Sequence, residues 1–102
     1  MVNKTEALEN VYRNPTLEIL AGQESLLTQV KEGDCSFHLD FGLVYWNSRL
    51  NTERERILKK IEPNSTICDM MCGVGPLAVR AAKSIGCNVL ANDLNPSCFE
   101  FL

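Results

Sequence analysis

Asp69 closes a short apolar run, Gly73 and Gly75 follow it in CGVGP, and Asp93 closes the next apolar run twenty residues beyond Gly73. A glycine turn and a second acid in this order suit one task, the holding of a ligand that carries a ribose. In a strand–turn–helix unit the turn approaches its ligand with bare backbone, and the following helix offers free N–H groups. An acid at the end of the next strand accepts hydrogen bonds from ribose hydroxyls. A glycine turn that serves packing alone is the competing reading, and the acid at this spacing weighs against it.

G-V-G-P-L-A also satisfies the dinucleotide pattern G-x-G-x-x-[G/A], so NAD competes as the ligand. Two residues oppose it. Pro76 stands where backbone donors would face a pyrophosphate, and proline has no N–H. Asp69 lies four residues before Gly73, where a carboxylate would hold an ammonium group and repel a phosphate. S-adenosylmethionine has a ribose and an ammonium group and no phosphate, and it is the expected cofactor.

The elements that must position these residues follow from punctuation and periodicity. Residues 1–16 read as a polar lead-in that halts near Asn14-Pro15, and 17–50 as a small β-rich region. Within the latter, LEILAG reads as a strand. The segment 26–41 reads as two strands around Glu32-Gly33-Asp34, with Cys35, Phe37, Leu39 and Phe41 on one face of the second. Residues 51–102 read as the first βαβ part of a larger domain. Thr52 and Glu55 form a capping-box pattern for a helix over 53–61. STICDMM is a strand, GPLAVRAAKSIG a helix stopped by Gly86, CNVLAND a strand, and NPSCFEFL the start of another helix. Alternation of helix and strand predicts α/β class with a parallel sheet. Two parallel strands cannot bury both faces, so a truncated opening half of a larger enzyme is expected, inactive alone.

A length of 102 residues allows at most one small domain, and 45% hydrophobic with 23% charged residues is the composition of a globular one. No apolar run approaches the roughly eighteen residues of a membrane span. The five cysteines are odd in number with no C-x-x-C spacing, which predicts reduced core thiols. With His38 the only histidine, on the polar face of a strand, no metal site is expected. The net charge of −3 shows no basic face for nucleic acid, so any such surface is expected in sequence outside this chain.

D-x-x-C-G-V-G-P-L-A followed by A-N-D-L-N-P, with FHLDFGLVYWNSRLNTERERI upstream, resembles the class I methyltransferases, and more narrowly the tRNA (guanine-37, N1)-methyltransferases of eukaryotes and archaea. The likeness covers Leu17 to Leu102. It implies a Rossmann-like fold preceded by a small β unit, and transfer of a methyl group from S-adenosylmethionine to N1 of the guanine beside the anticodon. It further implies tRNA as partner, a monomer without membrane or metal, and a cytoplasmic location with nucleus and mitochondrion also open. Carried onto this chain, Asp69, Gly73, Gly75, Asp93, Leu94 and Asn95 hold the cofactor and Arg54 contacts it. Arg49 would stand beside the base as the catalytic cation, stabilising charge on O6. A solvated helix face competes for both arginines, and a core position competes with base stacking for Tyr45 and Trp46. The family's general base and its Asn-Pro motif are expected beyond Leu102, so no base is assigned. Met71-Cys72 replaces the family's usual Phe-Ala, and Arg80 stands where proline is common. The alternatives are the aminocarboxypropyl transferase of wybutosine synthesis and an NAD-binding oxidoreductase fragment.

Overall fold

The structure, a computed structural model, describes residues 2–4, 17–22 and 25–102. The expected break at Asn14-Pro15 lies outside the described residues. Strands β1 (Val2–Lys4) and β2 (Leu17–Ile19) pair antiparallel, with Val2 opposite Ile19. The strand expected over 17–22 therefore ends at Ile19, and Gly22 lies beyond it at φ +96°.

β3 (Leu27–Glu32) and β4 (Cys35–Asp40) form the expected hairpin, closed by Gly33-Asp34 and registered by Glu32 opposite Cys35. Gly33 supplies φ +62°, the left-handed conformation that two-residue hairpin turns require. Alternation places Cys35, Phe37 and Leu39 inward and Ser36 and His38 outward. With Val44, Val74 and Cys98 the inward residues make one core, and Phe41, Trp46, Val79 and Phe101 pack around it. The hairpin thus shares its core with the glycine turn and the last helix.

The first helix begins differently from the capping-box expectation. Asn47, extended at φ −141°, caps a 3-10 turn (Ser48–Leu50) by accepting from the Arg49 N–H, and that turn runs straight into α1 (Asn51–Leu58). Thr52 therefore lies inside the helix, and Glu55 is free to bind elsewhere. After Leu58 the chain tightens, with Lys60 N–H to Ile57 C=O at 2.9 Å, and the helix expected to reach Ile61 stops three residues sooner.

β5 (Thr66–Asp69) and β6 (Asn88–Ala91) are parallel, with Thr66 opposite Asn88 and Asp69 opposite Ala91. Between them α2 (Ala78–Arg80) widens into a π-type turn over Ala81–Ile85 and ends on Gly86, left-handed at φ +79°. A second core of Leu58, Ala81 and Cys87, flanked by Ile61, Ile67, Leu77, Ile85 and Val89, joins α1 and α2 to one face of this sheet. The other face, with Cys68 and Leu90, is exposed. Cys35, Cys72, Cys87 and Cys98 are buried, in line with the expected core thiols, while Cys68 is exposed and departs from that expectation. α3 (Pro96–Phe101) closes the described chain, capped by Asn95 with proline in its first turn. No helix among the described residues is long and apolar enough to cross a membrane.

Candidate functional site

The parallel ladder continues past its strands and joins the two acids. Asn92 N–H donates to Asp69 C=O at 2.9 Å, and Cys72 N–H donates to Asn92 C=O at 2.8 Å. Asp93 then reaches back across the turn: one carboxylate oxygen accepts from Gly73 N–H at 2.8 Å and the other from Asn95 N–H at 2.9 Å. The acid twenty residues beyond the glycine is a strut of the turn itself. A carboxylate has about four lone-pair sites, so both oxygens retain acceptor capacity.

The two glycines differ in what surrounds them. At Gly73, φ +59°, an added Cβ would meet nothing nearer than the Tyr45 carbonyl at 4.0 Å. At Gly75, φ +89°, it would fall on Leu102 Cδ1 and lie 2.9 Å from Val79 Cγ2. Gly73 faces open space, whereas Gly75 makes room for the protein's own side chains. Gly75 was expected to admit a ligand; in the structure it admits α2 and the end of α3.

Above Gly73 lies a cleft of about 260 Å³. One wall is Tyr45, Trp46, Asn47 and Leu50, and α1 adds Glu53, Arg54 and Ile57. The floor is Asp69, Met71, Cys72 and Gly73, with Pro76 and Leu77 opening the next helix. Asp69 is half-buried, and burial, reinforced by the nearby Asp93 charge, lifts its carboxyl above the usual range against a Met71 N–H bond that lowers it. The Cys72 thiol is pushed up by burial and by both acids. Burial, the Asp93 charge and a hydrogen bond to that carboxylate raise Cys98 to about 12. Burial is the larger cause in each case, and the carboxylates of Asp69 and Asp93 add to it; two acids beside the floor disfavour a phosphate and suit a cation.

Of the cofactor and catalytic residues expected from sequence, Arg54, Asp69 and Gly73 line the cleft, whereas Arg49, Gly75, Asp93, Leu94 and Asn95 are not among its lining residues. The Arg54 guanidinium is buried, bonded to Glu32 at 3.0 Å and to the Asn47 carbonyl at 3.1 and 3.3 Å. Leu94 is exposed. Asn95 is buried as the cap of α3 and donates to the Leu43 carbonyl at 2.6 Å. Arg49 lies exposed on the 3-10 turn, one residue from Leu50 of the cleft wall. Glu53 carries no motif signal of its own. It lines the cleft with its carboxylate held by Arg56 three residues on, at 2.9 Å from Nε, and that bond keeps its pKa below the ordinary carboxylate value. Helical spacing was the available signal, because Leu50, Glu53, Arg54 and Ile57 fall on one face.

This geometry meets a known pattern in comparison with other proteins. Residues 28–102 match the TRM5/TYW2 methyltransferase domain. The chain belongs to the TRM5/TYW2 methyltransferase family. A tRNA (guanine(37)-N(1))-methyltransferase of Trichomonas vaginalis is 50% identical over 97% of this chain and 26% of its own length. One of Mycosarcoma maydis is 52% identical over the full chain and 16% of its own length. The chain thus spans about a quarter or less of these curated relatives. Among solved structures, the complex of aTrm5 and tRNALeu superposes with a TM-score of 0.89 at 32% identity, covering 98% of this chain and 29% of that one. The chain is accordingly part of a Rossmann-like α/β domain. Among the described residues no group of three or more His, Cys, Asp or Glu could hold a metal ion.

Proposed function

We propose that this chain contributes the cofactor cleft of an enzyme that methylates N1 of the guanine at position 37 of tRNA. The observation that carries the reading is the open space over Gly73 beside two mutually repelling acids, Asp69 and Asp93. That floor fits S-adenosylmethionine, which offers an ammonium group and a ribose and brings no phosphate. The structure of Methanocaldococcus jannaschii Trm5 in complex with adenosine, 37% identical with a TM-score of 0.80 over 88% of this chain, supports the nucleoside part. When bound, S-adenosylmethionine supplies an electrophilic methyl group.

The chain's own residues then have separable tasks. Asp69 accepts the ligand's ammonium group, and Gly73 keeps the backbone bare against it. Asp93 holds the turn and keeps acceptor capacity for ribose hydroxyls. Tyr45, Trp46, Leu50 and Ile57 exclude water from the reacting centre. Attack by guanine N1 requires loss of its proton. Glu53 is the carboxylate on the α1 wall, kept ionised by Arg56, and these two features support it as the acceptor of that proton. Arg49, exposed on the 3-10 turn beside Leu50 of the wall, supplies positive charge for the developing O6 anion. The base is thus proposed within this chain, in place of the expectation that it lies beyond Leu102.

Aminocarboxypropyl transfer from the same cofactor is the second reading. It is supported by Methanocaldococcus jannaschii TYW2 in complex with AdoMet, at 29% identity and TM-score 0.73 over 83% of this chain, a weaker likeness. The test uses a protein of the relatives' length that carries these 102 residues, with unmodified tRNA bearing guanine at position 37. Primer extension should stop at that base, and Glu53→Gln should slow the reaction by about 10²–10⁴-fold. Arg56→Ala should move the acidic limb of the pH–rate profile to higher pH, because Glu53 loses the partner that lowers its pKa. Modification at another base, or an aminocarboxypropyl mass on the product, would overturn the proposal.

A further inference from the structure

Glu32 ends β3, is not among the residues that line the cleft, and is buried with 5% of its side chain exposed. Its two oxygens serve two guanidinium groups, Arg54 Nη1 at 3.0 Å and Arg80 Nη1 at 3.4 Å. Arg80 is equally buried and also bonds Asn51 Oδ1 at 3.1 Å and Glu55 Oε1. Two carboxylates thus balance two guanidinium groups, and the network joins the hairpin to α1 and α2. The tip beside it is fitted just as closely. A Cβ on Gly33 would lie 2.9 Å from Arg80 Nη2, and Asp34 receives Lys83 Nζ at 2.7 Å and Ser84 Oγ at 2.9 Å.

Arg54 carries this order into the cleft. Its guanidinium clamps the Asn47 carbonyl and lies 5.3 Å from the centre of the Trp46 ring. Trp46 packs on Phe37 of the hairpin with ring centres 5.3 Å apart. Asn47 and Trp46 are cleft wall. We infer that Glu32 is a positioning residue for the ligand cleft: it fixes Arg54, and through it the Trp46–Asn47 wall, so that the β hairpin is part of the cofactor site. The inference rests on the proposed function only in taking the cleft as the ligand's place.

Removing the shared carboxylate charge leaves two buried cations and the one carboxylate of Glu55, which is paired with Arg80. Arg54 then keeps its bonds to the Asn47 carbonyl but loses the carboxylate that anchors it beside Trp46. The test is Glu32→Gln in this chain, with Glu32→Asp as the milder variant if the amide does not fold. Ser84→Ala serves as control, since it breaks a hairpin–α2 contact that has no link to Arg54. Trp46 is the sole tryptophan, so its emission and acrylamide quenching report on the wall directly. Glu32→Gln should expose Trp46 and weaken S-adenosylmethionine binding about tenfold, the equivalent of one charged hydrogen bond. Ser84→Ala should lower the melting temperature and leave Trp46 unmoved. Unchanged Trp46 emission and quenching in a folded Glu32 variant would overturn the inference, as would equal exposure of Trp46 in Ser84→Ala. If a protein of the relatives' length that carries these residues binds no S-adenosylmethionine, the proposed function fails, while the Trp46 measurements still decide the role of Glu32.

Discussion

Gly73→Ala and Gly75→Ala add the same methyl group two residues apart in one turn, and the two variants should fail in different ways. Each forces an L-residue to a left-handed φ, +59° or +89°, which costs about 1–2 kcal/mol. At Gly73 the new Cβ enters open space, with the nearest atom 4.0 Å away, and no packing cost is added. At Gly75 it meets Leu102 Cδ1 and stands 2.9 Å from Val79 Cγ2. Overpacking of this kind costs about 1–3 kcal/mol, and the lower half of that range applies because the Leu102 end can swing away. The sum for Gly75→Ala is about 2–4 kcal/mol. In a domain of this size 1 kcal/mol moves the melting temperature by about 4–8 °C, so the two variants should be separated by several degrees. Affinity should rank them in the opposite order, since the Gly73 methyl occupies ligand space and should weaken S-adenosylmethionine binding about tenfold or more. Thermal melts followed by calorimetric titration measure both rankings. Wild-type affinity in Gly73→Ala, or a Gly75→Ala chain that melts no lower than Gly73→Ala, would refute the distinction.

Two further outcomes follow, one from the electrostatics of the floor and one from the burial of the thiols. Asp69 has a folded-state pKa raised above its unfolded value, so its ionisation destabilises the fold, and the penalty grows as pH rises through the folded pKa. Asp69→Asn should therefore melt higher than wild type at pH 7, lose that advantage in acid, and bind S-adenosylmethionine poorly; melts across pH 3–8 and titration at pH 7 check both halves. Thiol reactivity should divide four to one, because Cys35, Cys72, Cys87 and Cys98 are buried and Cys68 is exposed. A disulfide reagent should label one thiol quickly in the native chain, Cys68 by peptide mapping, and the remaining four only on unfolding.

Local patterns carried most of the fold. Strict alternation in β4 and a Gly-Asp turn placed the hairpin, and Gly86 and Asn95-Pro96 marked the ends of the helices around β6. The helix start was misplaced because Thr52 and Glu55 satisfy a capping pattern that Asn47 pre-empts from five residues upstream. In the site, Asp69 and Gly73 were legible because they are local to one turn. Gly75 and Asn95 looked alike by motif, yet their neighbours Leu102 and Leu43 are distant contacts that no local pattern announces. Glu32 was invisible for the same reason, as it meets Arg54 and Arg80 across 22 and 48 residues of chain.

The central claim is that the cleft over Gly73 takes a cationic, phosphate-free nucleoside. Calorimetric titration of the chain with S-adenosylmethionine and, separately, with NAD tests it directly, with Asp69→Asn alongside. Saturable heat with S-adenosylmethionine alone, sharply reduced in the variant, is the predicted result. Binding of NAD, or S-adenosylmethionine binding that is indifferent to Asp69, would contradict it.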